Sequence, residues 1–141
     1  MTTMDIFSEL GELAIGSRLR RLSDYIMQEG VEIYQSYRID FDPKWFPVYY
    51  LLSKNSSLSI TEIASSLGIS HPAVIKNARE LEQKGYIQSA QDPQDKRRRL
   101  LQLSEEGRQL LPVIREAWQD LAGSMAQAIG EQEAHLLRAI R

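Results

Sequence analysis

The sequence predicts a mainly α-helical fold that contains one small β-hairpin. Apolar residues recur at helical spacing over most of the 141 residues, and the pattern changes to strand character in one region, after Gly85. Glycine, proline and serine lie at positions that favour helix ends and turns. A single domain is expected over 1–141, because a chain of this length with 43% hydrophobic residues can bury one core of ordinary size.

The first third of the chain is predicted to be one long helix that glycines could kink. Apolar side chains repeat every three or four residues from Ile6 to about Tyr37. Three glycines interrupt this repeat: Gly11, Gly16 and Gly30. Pro43 and Pro47 restrict the backbone of the residues before them, so a break is expected before a short apolar helix that begins near Trp45.

Two helices joined by a short turn are predicted next. Ser59 and Glu62 form the pattern S-x-x-E, a capping box in which each side chain satisfies a backbone N–H at the start of a helix. Gly68 ends that helix, and Ser70 caps a second helix that runs to Lys84. A short helix, a turn with glycine and a longer helix make a helix-turn-helix, although many such pairs only form core.

The second helix of this pair is expected to bury one face. Val74, Ala78 and Leu81 repeat at helical spacing and would face the core. The residues expected to point outward are Ala73, Lys76, Asn77 and Glu80.

A run of four cations, Lys96 to Arg99, lies in the segment with strand character. Residues 86–90 and 101–103 have strand character, and Asp92 and Pro93 are turn formers between them, so the pair predicts a β-hairpin with a basic tip. A solvated, disordered charge run is the alternative interpretation. It fits longer blocks of like charge better than this one.

The charge distribution favours a nucleic-acid partner for this part of the chain. The formal net charge is -2, which argues against general nucleic-acid affinity, yet residues 70–108 carry 8 Lys or Arg against 6 Asp or Glu. A helix-turn-helix followed by a basic hairpin is a winged helix, in which the second helix enters the major groove and the hairpin, or wing, contacts phosphates or the minor groove. The winged helix is predicted over about 44–103, with dimerisation helices over 1–40 and 104–141.

DNA contact is predicted for the second helix and for the basic run. The residues are Ser70, His71, Pro72, Ala73, Ile75, Lys76, Asn77, Lys96, Arg97, Arg98 and Arg99. Asn77 has the donor and acceptor that adenine pairs with, although a surface asparagine is usually only solvated. His71 is either a base reader or a polar residue of the first helical turn.

The segment GISHPAVIKNARELEQKGYIQSAQDPQDKRRRLLQLSEEG, 68–107, contains the pattern D-x-R-x-x-x-L-x-L-[ST]-x-x-G. Its fixed positions are Asp95, Arg97, Leu101, Leu103, Ser104 and Gly107. This segment resembles the winged helix of the MarR family of bacterial transcriptional regulators, and the resemblance extends over nearly the whole chain. It implies a homodimer built by the terminal helices, with Arg97 at the wing tip in the minor groove and Asp95 as its support.

The resemblance also implies a C-terminal helix and an effector site. Ser104 would cap a helix from Glu105 to about Ile129, and Gly130 would separate a second helix. A small-molecule effector would bind in a crevice between the dimerisation helices and the winged helix. Its candidate residues are Tyr34, Tyr37, Trp45, Phe46 and Tyr49. Core and dimer packing is the other interpretation of these aromatic residues.

Two functions from different classes follow. The first is a sequence-specific regulator of transcription that binds double-stranded DNA as a homodimer, at an inverted-repeat operator, and is relieved by a small-molecule effector. The alternative is a winged-helix regulatory or protein-interaction module of a larger or partner acetyltransferase. The segments GELAIGSRLRRLSDYIMQEGVEIY and DFDPKWFPVYYLL suggest it, because they resemble MarR-family members joined to such a domain.

Enzymatic activity and a cofactor are not expected. No nucleophile with a base, phosphate loop or paired carboxylates occur in a recognisable pattern, so no catalytic residue is assigned. The chain has no cysteine, and its two histidines, His71 and His135, lie in no carboxylate-rich setting at ligand spacing, which argues against a metal site. A cytoplasmic protein without a membrane partner is expected, because no apolar run reaches the length of a span and the N-terminus is acidic where a signal peptide is basic.

Overall fold

The computed structural model describes residues 6–139, which form six α-helices and a small three-stranded sheet. The helices are α1 (Ile6–Leu10), α2 (Ile15–Ser36), α3 (Phe46–Lys54), α4 (Ile60–Leu67), α5 (His71–Lys84) and α6 (Glu105–Ala139). The strands are β1 (Leu58–Ser59), β2 (Ile87–Gln91) and β3 (Arg99–Leu103). The predicted fold class, a mainly helical chain with a small hairpin, is confirmed. Within residues 6–139, no helix is long and apolar enough to cross a membrane.

The N-terminal helix is broken where the sequence predicted at most a kink. α1 stops at Leu10, and a 3-10 turn, Gly11–Ala14, precedes α2. Gly11 has a φ of 56°, in the left-handed region that glycine enters without steric cost. Gly16 and Gly30 lie inside α2 and leave it intact. The prediction of one continuous helix is therefore wrong at Gly11.

The predicted ends of α4 and α5 are confirmed. Ser59 Oγ accepts from the Glu62 N–H at 3.1 Å, and Glu62 Oε2 accepts from the Ser59 N–H at 3.3 Å, so both halves of the capping box are present. Ser70 Oγ accepts from the Ala73 N–H at 3.3 Å at the start of α5. Gly68 and Gly85 close the two helices in left-handed conformations.

The sheet has the strand order β1-β3-β2 with antiparallel pairing throughout. β2 and β3 form the hairpin, and their pairing runs from Ile87 opposite Leu103 to Gln91 opposite Arg99. β3 is two residues longer than the sequence predicted, and β2 has the predicted length but is shifted by one residue. β1 pairs with β3 only at Leu101 and Leu100, so the outer part of the hairpin projects from the domain.

One hydrophobic core joins the helix-turn-helix, the sheet and the start of α6. Val74 and Leu81 of α5 are fully buried in this core, as the helical repeat predicted. Ile114 and Ala117 of α6 are fully buried in the same core. Ile114 lies in the segment predicted as a dimerisation helix, 104–141, and its full burial within one chain corrects that prediction at this residue.

The C-terminal helix agrees with the prediction at both ends. The Gly107 N–H donates to Ser104 Oγ at 3.0 Å, so Ser104 caps α6. Gly130 has φ 78° and ψ 172°, a non-helical conformation that divides α6 into two helical pieces. A helix to about Ile129 and a second piece beyond Gly130 are thus confirmed.

Candidate nucleic-acid interface

The outer face of α5 is an exposed surface that combines cationic and apolar side chains. Val74, Ala78 and Leu81 anchor the helix in the core, which leaves the opposite face in solvent. The exposed residues near the start and middle of α5 are His71, Pro72, Ile75, Lys76 and Arg79. Ser70, directly before the helix, is exposed as well. This face has the width of one helix, which suits the major groove of B-DNA.

The geometry of α5 differs from the expected outward set in three places. Ala73 and Asn77 are half-buried, because they lie beside the buried stripe rather than opposite it. Glu80 is also half-buried and accepts a hydrogen bond from Trp45 Nε1 at 2.7 Å. Arg79, which the sequence reasoning missed, lies on the exposed face. The position of the buried stripe at 74, 78 and 81 was the signal that could have found it.

The wing tip is a tight turn held by side-chain and backbone hydrogen bonds. The Asp92 N–H donates to Arg98 O at 2.8 Å and closes the loop. Asp95 Oδ1 accepts from the Arg97 N–H at 3.0 Å, and Asp95 O accepts from the Arg98 N–H at 3.0 Å. Asp95 therefore fixes the backbone at Arg97, in the supporting position that the resemblance implied.

The four cations of the wing divide into two pairs with different surroundings. Lys96 and Arg97 are exposed at the tip, and within residues 6–139 their side chains have no carboxylate partner. Arg98 forms an ion pair with Glu62, and Arg99 lies 3.8 Å from Glu82. Two positive charges at the tip thus remain available to an anionic ligand.

A separate apolar crevice of about 540 Å³ lies between α2, α3 and α6. Its lining residues are Ile26, Met27, Gly30, Tyr34, Pro43, Lys44, Phe46, Pro47, Trp118, Leu121, Ala122 and Met125. Trp118 Nε1 donates to Tyr34 Oη at 3.0 Å. Burial raises the pKa of Tyr34, so its hydroxyl stays neutral at physiological pH.

The five aromatic residues predicted for an effector pocket do not share this crevice. Tyr34 and Phe46 line it, whereas Trp45 lines a neighbouring cleft of about 580 Å³. Tyr49 is fully buried and donates to Gly107 O at 2.6 Å. Tyr37 donates to Asp120 Oδ2.

Among residues 6–139, no three His, Cys, Asp or Glu side chains come together as a metal site.

Comparison with known proteins gives the family of the central segment. Residues 46–98 match a family model described as the MarR family. This segment is similar to the MarR family. It contains α3, α4, α5, β2 and the wing loop, so the predicted family resemblance is confirmed where the candidate interface lies. Among curated proteins, none matches the chain.

Solved structures of MarR-family regulators share the fold of nearly the whole chain. A probable transcriptional regulator from Pseudomonas aeruginosa is 21% identical with a TM-score of 0.73, over 89% of this chain and 92% of that one. A mutant of MarR from E. coli, complexed with operator DNA, is 18% identical with a TM-score of 0.75, over 97% and 96%. BpsR from Bordetella bronchiseptica, whose DNA binding is regulated by 6-hydroxynicotinic acid, is 23% identical with a TM-score of 0.69, over 89% and 97%.

At these identities the comparisons show a shared fold. That fold is the winged helix with flanking helices that the sequence predicted. These three structures give no support to the suggested link of the N-terminal segments to an acetyltransferase domain.

Proposed function

We propose that this MarR-family protein is a homodimeric transcriptional regulator that binds double-stranded DNA in a sequence-specific manner. The observation that carries the proposal is the pairing of an exposed α5 face with two cations on a projecting wing, Lys96 and Arg97, which have no carboxylate partner within residues 6–139. In a chain of net charge -2, these cations concentrate where a duplex would touch both elements at once.

We propose a different task for each element. α5 would enter the major groove, where Lys76 and Arg79 can reach guanine or phosphate and Ile75 can contact a thymine methyl group. The wing tip would place Arg97 on the backbone or in the adjacent minor groove, with its main chain fixed by Asp95. Ser70, His71, Pro72, Ala73 and Asn77 remain proposed contacts around this centre, with Ala73 and Asn77 at its half-buried edge.

A two-fold dimer would complete the site. The N-terminal segment exposes Ile6, Leu13 and Ile15, and Leu13 is 85% exposed, which is unusual for apolar residues of a monomer. We propose that residues 1–40 and 104–141 build the dimer around the winged helix of about 44–103. Two copies of α5 about one helical turn apart would read an inverted repeat with half-sites about ten base pairs apart.

The crevice between α2, α3 and α6 is the proposed effector site. It connects the flanking helices with the winged helix, so a ligand there could bias the spacing of the two α5 helices. Its apolar walls and the lysine at its edge, Lys44, suit a small aromatic anion. The regulation of BpsR by 6-hydroxynicotinic acid supports an effector of this class.

Duplex binding measured against salt concentration tests the central claim. We expect log affinity to fall steeply with log salt, because each neutralised phosphate contributes a slope of about 0.9 through counterion release. Arg97→Ala should weaken binding to all duplexes and reduce that slope by about one for each wing lost. Lys54→Ala is the control, since Lys54 is an exposed cation of α3 that lies outside α5, the wing and the proposed dimerisation segments. Equal slopes for the two variants would remove the wing from the mechanism.

Base reading by α5 is tested by binding-site selection. Lys76→Ala and Arg79→Ala should each relax or weaken the preferred sequence, at a cost of about 1 to 3 kcal/mol where the side chain makes a good base contact. Asn77→Ala should have a smaller effect, because Asn77 is half-buried. If all three variants select the wild-type motif at wild-type strength, α5 does not read the bases. If the protein has no measurable affinity for duplex DNA, the protein-interaction module is favoured instead.

A further inference from the structure

Arg98, the third cation of the basic run, points back to α4. Its Nη2 donates to Ser59 Oγ at 3.1 Å and to Glu62 Oε1, and its Nη1 lies 4.0 Å from Asp92 Oδ2. Ser59 is only 2% exposed, and Ser59 and Glu62 are the two halves of the capping box that starts α4. Arg98 therefore ties the wing to the first helix of the helix-turn-helix.

Arg99, the fourth cation, connects the wing to α5. Its Nη2 donates to Ser89 Oγ on the opposite strand and lies 3.8 Å from Glu82 Oε2 on α5. Ser89 Oγ in turn donates to Glu82 Oε1 at 2.8 Å. The three side chains form a small network between the hairpin and the helix that carries the exposed basic face.

These two arginines lie just where backbone support for the wing ends. β1 pairs with β3 at Leu101 and Leu100 and no further toward the tip. A two-stranded ribbon that projects beyond its sheet has little stability of its own, so side-chain contacts set its angle to the domain. Arg98 and Arg99 make such contacts on two different helices.

We propose that Arg98 and Arg99 are positioning residues for the wing and that only Lys96 and Arg97 of the basic run contact DNA. A phosphate would have to compete with Glu62 for Arg98 and with Glu82 for Arg99, because those carboxylates already lie beside the two guanidinium groups. Lys96 and Arg97 have no such competitor within residues 6–139. This inference rests on the proposed function, and it divides one basic run into a contacting half and a bracing half.

A double-mutant cycle separates positioning from direct contact. In the wild-type background, Arg98→Ala should weaken duplex binding by about tenfold, within the range of coupling between interacting residues. In a Lys96→Ala/Arg97→Ala background the same change should have less than about a twofold effect, because the tip it positions no longer binds. A similar loss in both backgrounds would mean that Arg98 contacts phosphate itself and would overturn the proposal.

Glu62→Gln gives a test with opposite signs for the two roles. Glutamine can still complete the capping box, so α4 keeps its start, while Arg98 loses the nearer of its two charged partners. Positioning predicts weaker DNA binding than in Glu105→Gln, a control that removes one exposed negative charge at the start of α6. Tighter binding than in that control would show that Glu62 only competes with phosphate for Arg98. Arg98 would then be a DNA contact, and the proposal would fail.

Hydrogen exchange without DNA tests the brace independently of the function. Arg98→Ala should speed exchange of the Asp92 and Arg98 amides, which close the wing loop, and leave α5 amides such as Leu81 unchanged. Arg115→Ala, a control that removes an exposed arginine of α6, should change the exchange of neither the loop amides nor the α5 amides. If wild-type protein binds no duplex, the proposed function fails, but this measurement still shows whether Arg98 holds the wing in position. Unchanged exchange at the wing loop in Arg98→Ala would overturn the positioning role of Arg98.

Discussion

Gly107→Ala is expected to destabilise the protein by about 3 kcal/mol or more. A Cβ atom at Gly107 would lie far inside contact distance of the Tyr86 carbonyl oxygen, which is backbone and cannot turn aside. That oxygen also accepts from the Ser104 N–H at 3.0 Å, and Gly107 O accepts from the buried Tyr49 hydroxyl at 2.6 Å. Moving the start of α6 to relieve the clash would therefore break hydrogen bonds that join α6, α3 and the root of the wing.

Gly123→Ala is the matched control for this substitution. Gly123 lies in the same helix, and a Cβ there would meet nothing within 4 Å. Alanine inside an exposed helix should stabilise it by about 0.5 to 1 kcal/mol relative to glycine. Urea unfolding at fixed protein concentration measures both variants. Similar effects of the two changes would show that the close approach at Gly107 does not exist in solution.

Leu13→Asp is expected to separate the dimer and to lower DNA affinity together with it. Leu13 is 85% exposed and packs against no part of the described core, so the winged helix should remain folded. A buried, unpaired carboxylate at a subunit seam costs several kcal/mol, which is enough to dissociate the subunits at micromolar concentration. Light scattering should report a monomer, and affinity for a full inverted repeat should fall toward that for one half-site.

Ser65→Asp serves as the control for oligomeric state, because it adds the same charge to an exposed position of α4. It should leave the subunits associated. Leu111→Asp is unsuitable for this purpose, since Leu111 packs against the core of the winged helix and its loss would unfold the domain. A wild-type monomer at micromolar concentration that binds a single half-site tightly would overturn both the dimer and the inverted repeat.

The features that sequence reasoning located correctly depend on residues close together in the chain. The capping box of Ser59 and Glu62 spans three residues, and the left-handed ends at Gly68 and Gly85 are single-residue choices. The burial of Val74, Ala78 and Leu81 follows from helical periodicity alone. Such local signals were enough to predict the helix-turn-helix and the hairpin.

The features that it missed depend on contacts between distant residues. Arg98 meets Glu62 across 36 positions, and Trp45 meets Glu80 across 35, so composition and spacing gave no sign of either pair. Ile114 became core rather than dimer seam because α6 packs against the winged helix in a way its own apolar repeat does not specify. The exposure of Arg79 could have been predicted from the sequence, because the outward face of α5 follows from its buried stripe.

The closure of the wing loop also determines where this domain can accept a change of length. The hydrogen bond from the Asp92 N–H to Arg98 O, at 2.8 Å, encloses residues 93–97, which pair with no strand. Insertion within Arg99–Leu103 would turn Leu101 and Leu103 out of the core, because side chains alternate along a strand. Insertion within 93–97 leaves that alternation intact and adds only about 0.6 kcal/mol of closure entropy for each doubling of loop length. The length of the wing tip can therefore change almost independently of domain stability, and under the proposed function such a change alters how far the tip reaches across a duplex.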